Sequence, residues 1–379
     1  AGGEGYLMDF DFSQDQVALR DLAREFLGRE AAIPKLRAVV ETPEGYDRDV
    51  WRRMGELGLQ GIPIAEQYGG MGMGMVELAL VMEEIGRHAY AGPFFSTVVL
   101  AASLIEAAGS EEQKRRWLPK IASGDLTATV AFAERDPAPD VDLLRTTIAG
   151  GRVNGEKRFV PHAATADLIL VVGEGGTLAA LEKGVSGVSV EPVETMDPAQ
   201  RDATVRFDGA AGEVLPGGRA AVERMLRRAA VAASAEMLGA ARRSMQMSVD
   251  YSKTREQFGQ PIGSFQAVKH MCAEMLDEVE HSYAATYYAA WALDAGAPDA
   301  DLAASVAKSF VSESARKVCG DAIQVHGGIG FTWEFDLHFF FKRAKHHEVR
   351  WGDADYHRER VYQLWTAQQE AEKKELVHA

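Results

Sequence analysis

The chain has 379 residues, 46% of them hydrophobic and 26% charged, the balance of a soluble globular protein with enough core to fold without disulfides or metals. A formal net charge of −15 argues against a nucleic-acid partner, which needs a basic face, although a few local arginines remain able to hold a small anion. Cys272 and Cys319 stand alone without CxxC spacing, which argues against a disulfide framework or a structural zinc site and fits a reducing, cytoplasmic setting. Neither a membrane span nor an export signal is expected from the pattern, and the leading AGGEGYL, before Met8, reads as an expression remnant.

Residues 8–125 read as a helical domain. FSQDQVALRDLAREFLGREA begins with Ser13 and Asp15 at an N-cap, then places Val17, Leu19, Leu22 and Phe26 at helical spacing. VWRRMGELGLQG, MVELALVMEEIGRHA and SEEQKRRWLPKIASG repeat the pattern. Between them PIAEQYGGMGMG, at 63–74, is a glycine-rich loop suited to close backbone approach, and it lacks a phosphate-loop lysine.

Residues 126–217 change character: TATVAFAE, TTIAGGRVNGEKRFV, ADLILVVG and ATVRFDG are short β-branched runs split by turn residues. Asn154-Gly155 predicts a hairpin turn, and the region reads as a middle antiparallel β domain. From 218 to 379 the pattern is again helical: one helix of more than thirty residues over 220–258, others over 263–295, 299–319 and 354–375, together a bundle. The fold class is α+β, mainly α: helices, sheet, helices.

Two motifs carry chemistry. YSKTREQFGQPIGSFQAVKH (251–270) leaves the long helix with Arg255, a fixed donor fork suited to phosphate, and Phe258, which can cover a flat ring. The plain alternative is Arg255 as a helix C-cap and Phe258 in the core. QVHGGIGFTWEF (324–335) offers a Gly-Gly pair flanked by Gln324 and His326; alone it is equally a helix C-cap with a structural histidine.

Taken together, in this order and within a helix–sheet–helix plan, the two motifs and the glycine-rich loop resemble the acyl-CoA dehydrogenase family from about Asp9 to Gln368. The resemblance implies a helical N-terminal domain, a β domain and a C-terminal four-helix bundle, with non-covalent FAD. It further implies that Arg255 and Phe258 reach the diphosphate and adenine of an FAD held mainly by a neighbouring subunit, with Gln266 and the run Gln324, Val325, His326, Gly327, Gly328 completing the contact. An oligomer, a tetramer in the family, then becomes functional. The implied reaction, in lipid metabolism, is α,β-dehydrogenation of an acyl-CoA thioester, with an electron-transfer flavoprotein as electron acceptor.

The β domain departs from the family pattern. Its flavin-binding turn reads AERDPAPD (133–140), with Ala133 and Pro139 where the family has hydroxyls, and Phe159-Val160-Pro161 replaces Trp-x-Thr. Ala133 and Phe159 are left as this chain's flavin-side contacts, short of two or three hydrogen bonds at about 1 kcal/mol each.

The base also departs. The position about twenty residues after the Gly-Gly motif, a glutamate in most of the family, is Trp351. Asp353 lies two residues on but precedes a helix, as an N-cap would. The helix position used by other branches is Ala229; seven residues later Glu236 sits among Ala229, Ala232, Ala233, Gly239 and Ala240. That stripe of small residues marks either a space left for a bulky or branched acyl group or a close helix contact. An unpaired Glu236 carboxylate would have the raised pKa of a base. HHEVRWGDADYHRE (346–359) reads mostly as a solvated turn and helix start, with no metal site. Two readings follow: a complete dehydrogenase with Glu236 as base, or a partner subunit that completes an FAD site in a different chain.

Overall fold

The computed structural model describes residues 11–136 and 138–378, so the leading segment lies outside the described residues. The first region holds α1 (Gln14–Glu30), α2 (Ile33–Val39), α3 (Arg48–Glu56), α4 (Met75–Arg87), a π-helical turn (Phe95–Ala102), α5 (Ser103–Ala108) and α6 (Glu111–Ala122). Ser13 starts α1 with a reciprocal cap: its hydroxyl accepts from Gln16 N (3.2 Å), and the Gln16 side chain accepts from Ser13 N (2.9 Å). The glycine-rich loop closes on its own chain, Met71 N and Met73 N donating to the Gly61 and Ile62 carbonyls at 2.8 and 2.9 Å. It is a structural strap that leads into α4, which is buried nearly all round.

The middle region is an antiparallel sheet domain split in two. One sheet orders β1 (Ala128–Ala131), β4 (Leu168–Val172), β5 (Leu178–Glu182) and β8 (Glu213–Val214). The other orders β2 (Thr147–Ala149), β3 (Arg152–Pro161), β7 (Asp202–Ala211) and β6 (Val188–Val193). The β1–β4 pair is parallel; the others in these two sheets are antiparallel. The expected turn at Asn154-Gly155 is corrected: both residues lie inside β3, and Gly150-Gly151 makes the hairpin with β2. The register shifts between Val153 and Gly155, while Asn154 Oδ1 accepts from Gly209 N at 2.8 Å. The Asn-Gly pair thus serves a bulge, because the nearby glycine pair takes the turn.

The last region contains α7 (Arg219–Thr254), a short hairpin of β9 (Glu256–Gln257) and β10 (Gln260–Pro261), α8 (Gln266–Ala295), α9 (Ala300–His326), α10 (Leu337–Glu348) and α11 (Ala354–His378). Helices α7, α8, α9 and α11 form the bundle, and α10 packs across α7 and α9. Helix α10 is the element missing from the sequence reading, which ran its C-terminal end into a solvated turn. Among the described residues no helix is long and apolar enough to cross a membrane.

Candidate functional site

The two motifs converge on one outer face of the bundle. Arg255 is the C-cap of α7, its backbone N–H bonding Tyr251 O at 2.8 Å, while its exposed side chain makes no ion pair or hydrogen bond among the described residues. Phe258 sits on the β9–β10 hairpin at φ 54°, 91% exposed, edge-on to Phe265 with ring centroids 6.1 Å apart. Gln266 opens α8 and is exposed. At the end of α9 the run from Gln324 divides. Gln324, Gly327 and Gly328 face outward, whereas Val325 and His326 are buried. His326 stacks on Tyr251 (4.3 Å between centroids), and its Nδ1 bonds Ala322 O at 2.8 Å, so it fixes the two motifs against each other. A Cβ on Gly327 or Gly328 would meet only open space.

A free guanidinium, an uncovered aromatic ring, two free amides and bare glycine backbone suit a phosphate-bearing, flat-ringed ligand such as FAD. This surface fits the half of FAD implied for it.

The β-domain side is different. Ala133 is half-buried, and its carbonyl accepts from Arg158 N at 2.8 Å. Glu134 beside it accepts from Arg145 N and Thr146 N and pairs with the buried Lys157 at 2.8 Å, so the turn is held from within. Phe159 stands at φ 50° and is 46% exposed. The slot between Ala133, Phe159, Pro161, Arg350 and Trp351 holds about 40 Å³. That is well short of the roughly 150 Å³ of an enclosed apolar cavity known to take one benzene, so the slot as it stands does not enclose a three-ring flavin. A larger groove of about 390 Å³ opens on the other side of Trp351, lined by Asp142, Arg219, Arg227, Tyr356 and Arg360.

Glu236 lies at a close helix contact. A Cβ on Gly86 of α4 would overlap the Glu236 carbonyl oxygen, and one on Gly239 of α7 would overlap the Glu83 carbonyl. The small residues let α4 and α7 touch, and that contact fills the stripe. The Glu236 side chain, 2% exposed, is ion-paired: Oε1 accepts from Arg343 at 2.6 Å, and Oε2 lies 3.0 Å from His347 Nε2. Arg343 also binds Asp197 at 2.7 Å and the carbonyls of Ala89 and Tyr90 at 3.2 and 3.0 Å, joining all three regions of the chain. Burial alone would raise the Glu236 pKa; His347 and Arg343 outweigh it and hold the carboxyl below its ordinary value. The expectation of an unpaired carboxylate facing a ligand is therefore corrected.

Asp353 caps α11, accepting from Tyr356 N at 2.8 Å. The expectation of a solvated turn at 346–359 is corrected in part. His347 and His357 are buried, and Arg350 is largely so, paired with Asp202 at 3.0 Å and donating to Phe159 O at 2.6 Å. Beneath the turn lies Lys308, fully buried, whose ammonium donates to Gly352 O (2.7 Å), Ser312 Oγ (2.9 Å) and Glu348 O (3.3 Å). Desolvation brings its pKa down to about 7. Sequence reading missed Lys308, Arg343 and Arg350. The i, i+4 spacing of Arg343 and His347 was a usable signal once α10 is seen as a helix. Among the described residues no group of His, Cys, Asp and Glu side chains is placed to hold a metal ion.

Comparisons with known proteins agree with this architecture. The acyl-CoA dehydrogenase N-terminal domain matches residues 13–125, and the acyl-CoA dehydrogenase C-terminal domain matches residues 217–364. The chain is 31% identical to the probable acyl-CoA dehydrogenase YngJ of Bacillus subtilis (strain 168), over 93% of this chain and 98% of that one. Among solved structures it resembles the Tcur3481-Tcur3483 steroid ACAD, with TM-score 0.86, 31% identity, and coverage of 94% of this chain and 99% of that one. It also resembles the ChsE4-ChsE5 complex from Mycobacterium tuberculosis, with TM-score 0.87, 27% identity, and coverage of 95% and 99%.

Proposed function

The chain belongs to the acyl-CoA dehydrogenase family, FAD-dependent oxidoreductases acting on CH–CH bonds, and within it we propose that this chain is the site-completing subunit of a heteromeric enzyme. The observation that carries the reading is the exposed Arg255–Phe258 hairpin. A phenylalanine that is 91% exposed at positive φ gains nothing in an isolated chain, and beside an unpaired arginine it suits a ligand held by another subunit. Arg255 would place positive charge on the diphosphate, Phe258 would cover the adenine, and Gln266, Gln324 and the Gly327-Gly328 backbone would donate around them. FAD, when bound, supplies the hydride acceptor for dehydrogenation of the acyl thioester.

Two further observations support a division of labour. Neither carboxylate singled out from the sequence is open to take the α-proton, since Glu236 is sealed in an ion pair and Asp353 is a helix cap. Its own flavin-side slot, at about 40 Å³, does not enclose the ring. Two of the solved structures it resembles are named as pairs of different polypeptides. The companion chain would then supply the base, and an electron-transfer flavoprotein would reoxidise the assembly, a mixed tetramer. A bulky or branched acyl group loses the support of the small-residue stripe, because α4 fills it.

The test is the visible absorbance of the chain purified alone, with flavin-to-protein stoichiometry and acyl-CoA turnover against a dye acceptor. Little flavin and no turnover are expected. One FAD per chain together with turnover identifies a self-sufficient homomer and ends the proposal.

A further inference from the structure

The turn that stands where the family places its glutamate is built with care. Trp351 has φ 59°, a conformation in which a bulky side chain persists only when its surroundings hold it. Three attachments do so. The Trp351 carbonyl accepts from His357 Nε2 at 2.8 Å, the Gly352 carbonyl accepts from the buried Lys308 ammonium at 2.7 Å, and the indole stacks on Phe95 with ring centroids 5.8 Å apart and planes at 16°. Arg350 extends the arrangement across to the β domain, tied to Asp202 and to the Phe159 carbonyl, with its guanidinium 5.6 Å from the indole centroid. Trp351, with Pro139, lines both the 390 Å³ groove and the 40 Å³ slot, so it stands where the two adjoin.

We propose that the Glu348–Asp353 turn is a built-in plug: Trp351, clamped from below by Lys308 and His357 and strapped across by Arg350, fills this chain's own flavin-ring slot and walls it off from the adjoining groove. The proposal deepens the site-completing reading and rests on it for its meaning, since a chain that only lends half a site to a neighbour has no use for an open half of its own. Lys308 and His357 are positioning residues. They act through the Gly352 and Trp351 carbonyls, the backbone that aims the indole.

The test uses the full chain alone and riboflavin, which carries the ring but neither phosphate nor adenine and so does not report on the Arg255–Phe258 surface. Trp351→Gly suits the left-handed backbone already present, and it is made with and without Arg350→Ala. Quenching of riboflavin fluorescence is expected to show no saturable binding for wild type, and saturable binding at least about tenfold tighter for the double variant. Equal binding by wild type, or no gain in a folded double variant, overturns the plug. Should the double variant fail to fold by circular dichroism, Arg350→Gln leaves the core filled. Acrylamide quenching of Trp351, read as the difference from Trp351→Phe, should then rise in Arg350→Gln, and an unchanged difference overturns the plug equally. Flavin stoichiometry of the wild-type chain remains a separate readout, so failure of the plug and failure of the site-completing reading are told apart.

Discussion

Two clusters of charged and aromatic groups, each built around an arginine, behave in opposite ways. Arg343 is fully buried and spends its donors on Asp197, Glu236 and the carbonyls of Ala89 and Tyr90. Arg255 is exposed, and its side chain has no partner among the described residues. The same side chain is an internal tie in one place and an unanswered donor in the other. Satisfied groups report on the fold, whereas unsatisfied groups at a shaped surface report on another molecule.

The comparison breaks most visibly at Arg343. Arg343→Met leaves Glu236 and Asp197 buried without their cation, and should lower stability by about 3–5 kcal/mol, read as a large fall in the urea midpoint. A loss under about 1 kcal/mol would mean that His347 alone sustains Glu236. Gly239→Ala should come next. Its new Cβ meets the Glu83 carbonyl, so α4 must move off α7 at a cost of about 1–3 kcal/mol, checked by thermal unfolding.

Lys308 sharpens the comparison through pH. In the fold its pKa is about 7, whereas in the unfolded chain it stays near the ordinary lysine value of 10.5. Between those values the unfolded state binds the extra proton, so this group's contribution to stability rises with pH, by up to about 1.4 kcal/mol per unit. Below pH 7 both states are protonated and the desolvation cost of the ammonium is felt in full. Asp353, Glu348 and His357 face the same site from the adjoining turn and α11; the two acids favour the ammonium and His357 does not set its charge, since desolvation brings the histidine to about pH 4. Urea midpoints from pH 6 to 9 for wild type and Lys308→Met should therefore diverge, with wild type gaining on the variant as pH rises. Parallel profiles would show that the lysine is hydrated when folded.

The helix–sheet–helix plan was legible because period and turn chemistry change sharply near residues 126 and 218. The Arg255–Phe258 and Gln324–Gly328 segments could be singled out because each is a contiguous local pattern, and their cofactor role is a proposal. Glu236 was singled out correctly as odd, but its partners come from α10, 107 residues away for Arg343, and no local pattern foretells a long-range ion pair. The sequence posed the alternative of ligand space or helix contact; only the approach of Gly86 and Gly239 across two helices decides it. The turn at 346–359 was misread for the converse reason. Its charges look solvated in isolation, yet Lys308 and Asp202 lie beneath it from far along the chain. Asn154-Gly155 failed through competition, since Gly150-Gly151 nearby made the better turn.

The smallest expected stability effect carries the most functional information. Arg255→Met and Phe258→Ser remove groups that the fold does not use, so each should leave the urea midpoint of the isolated chain unchanged within about 0.5 kcal/mol. In the assembled enzyme each should weaken FAD retention. Loss of one charge-assisted contact at about 1.5–3 kcal/mol corresponds to roughly ten- to hundredfold faster flavin loss for Arg255→Met. The two readouts must separate. If Arg255→Met destabilises the isolated chain, the arginine belongs to the fold and the contrast with Arg343 collapses. If both readouts are flat, the exposed hairpin is not where the cofactor of a neighbouring subunit is held.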